Sequence, residues 1–75
     1  MPKLSSVSGV ITIRVLERLG FIKARQRGSH VVLIKETHKG KIGCVVPLRR
    51  ELAIGTLRGI LRQAKITPEE FMENL

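Results

Sequence analysis

Three short β-type segments in succession, Phe21–Gln26, Ser29–Thr37 and Lys41–Val46, constrain this chain more than any other feature. Gly28 occupies the first gap and His38-Lys39-Gly40 fills the second. Gaps this short cannot carry the chain back to the start of a parallel neighbour, so consecutive segments must pair antiparallel. The middle segment is the strongest strand, with Val31-Val32-Leu33-Ile34 at its centre. Pro47 is expected to end the third, because its nitrogen has no proton to give to a ladder.

Helical patterns flank this block. From Ser8 to Leu19, residues Ile11, Val15 and Leu19 fall at i, i+4 and i+8 with Thr12 and Leu16 beside them, while Arg14, Glu17 and Arg18 fall opposite. The β-branched residues Val10, Ile11, Thr12, Ile13 and Val15 argue for a strand here. The charges nonetheless cluster at helical spacing, so a helix is expected, with Ser8 as its N-cap and Gly20 at its stop. Thr56–Lys65 is amphipathic, with Leu57, Ile60, Leu61 and Ala64 on one face and Arg58, Arg62 and Lys65 on the other. Thr67-Pro68-Glu69-Glu70 combines a Thr cap, a proline at the first helical position and a Glu three residues after the cap. Phe71, Met72 and Leu75 are expected to anchor that last helix. The order α-β-β-β-α-α defines an α+β fold, a three-stranded antiparallel sheet with helices on one face.

At 75 residues the chain reads as one domain over 1–75, without repeats or linkers, whose thin core hides only roughly 60% of the unfolded surface. Hydrophobic residues at 43% and charged ones at 27% exclude an intrinsically disordered class. The longest apolar run is four residues, against the ~20 that cross a bilayer. Met1-Pro2-Lys3-Leu4-Ser5-Ser6 lacks the apolar stretch of a secretory leader. The lone Cys44 fits a reducing compartment, so a cytoplasmic location is expected.

Charge narrows the function. Fourteen Lys and Arg oppose six acidic residues, all Glu, for a net +8. So basic a domain is suited to a polyanion, nucleic acid above all, with an acidic protein partner as the other reading. Phe21 and Phe71 are the only aromatic residues, which argues against a platform that stacks bases on rings. Contact with phosphates and sugars remains. Lys23, Arg25, Arg27, Lys35, Lys39 and Lys41 lie on or beside the strands, whereas Glu69, Glu70 and Glu73 gather near the C-terminus.

Catalytic options are few. Glu17, Glu36 and Glu51 are scattered singly, so the carboxylate cluster of metal-dependent phosphoryl transfer is missing. His30, His38 and Cys44 match no zinc-ligand spacing, and Cys44 in Ile42-Gly43-Cys44-Val45-Val46 reads as a small core residue. No cofactor is expected. His30 follows Gly28-Ser29 with Arg25 and Arg27 just upstream. A neutral imidazole can take the proton of a ribose 2′-hydroxyl while guanidinium groups stabilise charge on the phosphate. The competing reading of His30 is a surface histidine that only touches RNA, or nothing.

Leu19-Gly20-Phe21, Arg27-Gly28-Ser29-His30, Val46-Pro47 and Gly55-Thr56-Leu57-Arg58-Gly59-Ile60-Leu61-Arg62-Gln63-Ala64 resemble, in order and spacing, the HicA (YcfA-like) toxin family, over nearly the whole chain. The resemblance implies a fold like the double-stranded-RNA-binding domain and messenger-RNA cleavage within a toxin–antitoxin pair. It also implies a HicB-type antitoxin as partner and makes His30 the catalytic residue. The RNA-contacting set is then Lys23, Arg25, Arg27, Gly28, Ser29, Lys35, Arg49, Arg58 and Arg62. One position departs from the family. Many relatives carry a second histidine shortly after the proline, where this chain has Leu48-Arg49-Arg50. A non-catalytic RNA-binding module of the same fold is the alternative function, and a third reading is an interaction domain for an acidic protein. The edges of a three-stranded sheet also invite a homodimer.

Overall fold

The computed structural model describes residues 4–75; the start of the N-terminal stretch read above for a leader, Met1 to Lys3, lies outside the described residues. The elements follow the order α1 (Gly9–Arg18), β1 (Ile22–Arg27), β2 (His30–Thr37), β3 (Gly40–Pro47), α2 (Ile54–Ala64) and α3 (Pro68–Glu73). The strands form one antiparallel sheet in the order β1-β2-β3. The arrangement is the α+β, double-stranded-RNA-binding-domain-like one expected from the sequence.

The Ser8 hydroxyl starts α1 by accepting the Ile11 N–H at 3.0 Å. At the other end the Phe21 N–H donates to the Leu16 carbonyl and the Gly20 N–H to that of Glu17. Gly20 has φ +102, and buried Phe21 packs with buried Leu16, which together make a Schellman stop. Phe21 is therefore helix punctuation, and β1 begins one residue later than the hydrophobic pattern implies.

The buried stripe of α1 is turned from its expected position. Gly9, Thr12, Ile13, Val15 and Leu16 face inward, whereas Ile11 is 41% exposed. Small residues set this rotation. The Gly9 N–H donates to the Arg49 carbonyl at 2.9 Å, and a Cβ there would collide with the Pro47 carbonyl oxygen. Thr12, fully buried, satisfies its hydroxyl by donating to the Ser8 carbonyl at 2.9 Å.

Two tight hairpins build the sheet. Arg27 pairs with His30 across Gly28-Ser29. Gly28 has φ +58 while Ser29 does not, the sign pattern of a type II′ turn, which suits the right-handed twist of paired strands. Thr37 pairs with Gly40 across His38-Lys39. Pro47 does not end pairing for the reason expected: it is the last residue of β3, opposite His30, and its nitrogen faces away from β2. The next N–H, of Leu48, continues the ladder to the Ser29 carbonyl at 2.7 Å. Proline is tolerated because this is an edge strand and no ladder donor is lost.

Val31, Leu33, Cys44 and Val46 turn to the helices and join Ile13, Val15, Leu16, Phe21, Leu52, Leu57, Ile60, Leu61, Ala64 and Phe71 in the core. Leu52, in the segment before α2, is fully buried although no periodic pattern marks it. The helix α2 starts two residues earlier than expected and has no side-chain cap. The capping box of Thr67 and Glu70 forms, and Phe71 anchors α3; Leu75, expected as a second anchor, is 55% exposed. Among the described residues no helix is long and apolar enough to cross a membrane.

Candidate nucleic-acid interface

The face of the sheet away from the helices is laid out in cross-strand rows, because direct partners in antiparallel strands project to the same side. Arg27, His30 and Pro47 form the first row, Arg25, Val32 and Val45 the second, and Ile22, Ile34 and Gly43 the third. Pairing runs unbroken from the turn through Arg27–His30 to Arg25–Val32, so both arginines stay in phase with His30. The extra residue between Lys23 and Arg25 turns Lys23 to the helix side. His30, Arg25 and Arg27 are all exposed, so an imidazole and two guanidinium groups share one end of an open surface.

Backbone contacts hold this end in place. The Gln26 side-chain amide donates to the Gly28 carbonyl at 2.9 Å, bracing the turn from its own strand. On the other side the Leu48 N–H reaches Ser29, and the Arg49 N–H bonds the Pro47 carbonyl at 3.0 Å. The Gly9 N–H then ties Arg49 to the start of α1. The segment Pro47–Arg49 is thus locked to the residue before His30 and to a helix at once, which brings exposed Arg49 to the His30 end of the sheet. Sequence reasoning missed Gly9, Gln26 and Pro47 as parts of this support. Only Gly9, a glycine in the first turn of a helix, offered a signal.

The remaining candidates lie elsewhere. Lys23 pairs with Leu33, a core residue, and faces the helix side, lining a cleft of about 230 Å³ with Val10, Arg14 and Glu17 of α1. Half-buried Lys35 also points to that side, with its ammonium 6.0 Å from the Phe21 ring centre and its stem close to Gly20. That geometry gives Lys35 a packing role. Arg58 and Arg62 line a shallow cleft between α2 and the start of α3, in the helical layer, with Ile66 and Pro68. The structure thus brings Arg25, Arg27, Gly28, Ser29, His30 and Arg49 together and leaves Lys23, Lys35, Arg58 and Arg62 outside that cluster.

His38 occupies the opposite hairpin, separated from His30 by the length of β2, so a single imidazole stands at this end. Cys44 faces the core, and burial pushes its thiol up to about 11, which keeps it protonated and unreactive near neutrality. Among the described residues no three of His, Cys, Asp and Glu come close enough together to hold a metal ion.

The fold and this basic, histidine-bearing sheet end define a small α+β domain with an open, cationic sheet surface. The family model for the HicA toxin of bacterial toxin–antitoxin matches residues 12–66, from α1 to the end of α2, and the chain belongs to that family. It is accordingly a toxin of a toxin–antitoxin pair. No curated protein matches the chain.

Proposed function

We propose that this toxin is a metal-independent ribonuclease of the cytoplasm that cleaves messenger RNA, with His30 as general base. The observation that supports this most is the pairing of Arg27 with His30 across the hairpin end, on the exposed face of the sheet. The imidazole takes the 2′-hydroxyl proton, and the 2′ oxygen attacks the adjacent phosphorus. The P–O5′ bond breaks, and the departing oxygen takes its proton from water. Arg27 and Arg25 neutralise the charge that builds on the phosphoryl oxygens, and Arg49 adds to this field from the far side of the row. Gly28 and Ser29 let the RNA backbone approach, since nothing lies within 4 Å of a Cβ added at Gly28. Lys23, Lys35, Arg58 and Arg62 contribute long-range attraction at most, given where their side chains lie.

Silencing is by a HicB-type antitoxin that covers His30 and the surrounding arginines with an acidic surface. Association of the two should slow as ionic strength rises, and a salt-independent association rate would count against the lid.

Arg49, in the place where many relatives have a second histidine, favours one alternative: an RNA-binding module that has lost cleavage. Incubation of a long labelled messenger RNA with chelator, comparing the parent with His30→Ala, separates the two. Cleavage by the parent alone is expected. If both proteins bind RNA and neither cuts, the module reading replaces the ribonuclease.

A further inference from the structure

The two edges of the sheet are built differently. On β1 the edge carries Lys23, Arg25 and Arg27 and an irregularity at Ala24, devices that discourage another strand from pairing. On β3 the edge runs Gly40–Pro47 in continuous register with β2, with Lys41 as its only charge. The Leu48–Ser29 bond sets the phase of that ladder, so Ile42, Cys44 and Val46 direct their backbone groups at β2. Lys41, Gly43 and Val45 direct theirs outward, three consecutive sites where an added strand could make paired N–H···O bonds.

The surroundings specify the added strand. A groove of about 350 Å³ runs between the first half of β3 and the last turn of α2, lined by Lys39, Lys41, Gln63 and Lys65 without a carboxylate. On the open face Lys41 and Val45 flank Gly43, whose missing side chain leaves a gap between them, and Val45 is 41% exposed. A second copy of this chain would bring another +8 to the same place, so self-pairing is opposed by charge.

From the unguarded β3 edge and its lysine-lined groove, we propose that β3 is a docking strand that accepts an extended acidic segment of a protein partner by strand addition. In the antiparallel sense, the segment places an aliphatic side chain against Val45 and a large one over Gly43. Its carboxylates meet Lys41 and the groove beside Lys65. This contact runs from the Val45 row, next to that of His30, to the Lys41 row, which lies six residues along β2 from His30 and about 20 Å away. None of its three strand residues is in the His30 row. The proposal therefore does not depend on whether His30 cleaves RNA.

Amide hydrogen exchange on the intact protein tests it, using the acetylated and amidated peptide Thr-Val-Thr-Phe-Glu-Glu-Thr as probe. The peptide is expected to slow exchange at Lys41, Gly43 and Val45 about tenfold or more, with no comparable change along β1. N-methylation of the three peptide residues opposite them should abolish the effect, and K41E should weaken binding about threefold or more. Gly43→Pro removes one outward donor while leaving the bonds to β2 intact, and K41E serves if that variant does not fold. The proposal is overturned if the N-methylated peptide binds equally well, or if a version with Lys for Glu does. Protection absent from the three amides overturns it too. So does protection that appears without peptide as protein concentration rises, since a second copy would then be the occupant.

Discussion

Arg27 and His30 are direct partners across the closing pair of the first hairpin, joined by a two-residue turn and exposed on the same face of the sheet. Lys35, only five residues beyond His30, lies on the other face against the Phe21 ring. If RNA is cut at the His30 end, Arg27→Ala should lower the cleavage rate about tenfold or more. Lys35→Ala should leave that rate within about twofold and instead cost about 0.5–1 kcal/mol of stability. Single-turnover cleavage and urea unfolding of the same two variants check both halves. Equal kinetic losses would show that the two faces do not differ in function.

Gly9→Ala should be among the more damaging single changes in the chain. The new methyl would meet the backbone carbonyl of Pro47, and backbone cannot swing aside as a long side chain can. A loss of about 2 kcal/mol or more is expected in denaturant unfolding. Faster exchange of the Leu48 amide should accompany it, because Pro47–Arg49 would be pushed off both Gly9 and Ser29.

Lys65 ends α2 with φ 59, a left-handed conformation that costs a side-chain-bearing residue more than glycine. The Ile66 N–H reaches the Leu61 carbonyl across it at 2.9 Å, so the helix stop is a Schellman turn with lysine in the glycine position. Lys65→Gly should raise stability by about 0.5–1 kcal/mol, read as a higher urea midpoint.

Burial moves the Cys44 thiol from 9.0 to about 11, so the unfolded chain loses its proton first as pH rises. The contribution of the neutral thiol is complete below about 9 and disappears between about 9 and 11. Between pH 8.5 and 11 the parent should therefore lose roughly 2 kcal/mol more stability than Cys44→Ala. Parallel unfolding curves for the two proteins across that range would contradict it. At neutral pH the folded parent should also resist alkylation that the unfolded chain accepts readily.

Most of the fold was legible because local signals agreed with the tertiary outcome. Ser8 capped a helix, Gly20 and Gly28 stood where positive φ was needed, and Thr67-Pro68-Glu69-Glu70 carried a complete capping box. The apolar run Val31-Val32-Leu33-Ile34 marked β2 as the central strand, but it is apolar on both faces, and only the register turned Val31 and Leu33 into the core. Periodicity failed where a small residue decided the packing: Gly9 rotated α1 so that Ile13 went in and Ile11 stayed out, and no apolar count detects an atom that is absent.

The candidate site divides in the same way. The sequence by itself determined that a histidine would follow a Gly-Ser turn beside arginines, that the chain would be strongly basic, and that three strands would be antiparallel, since these depend on neighbours in the chain. Which lysines and arginines share a face with His30 was decided only by the tertiary structure. Strand register and the extra residue in β1 assign each side chain to one side of the sheet. A shift of one position would have sent Arg25 to the helices and Lys23 to the open face. Arg49 joined His30 through the edge-strand position of Pro47 and the bond from Gly9, two contacts between segments far apart in sequence, where periodicity carries no information.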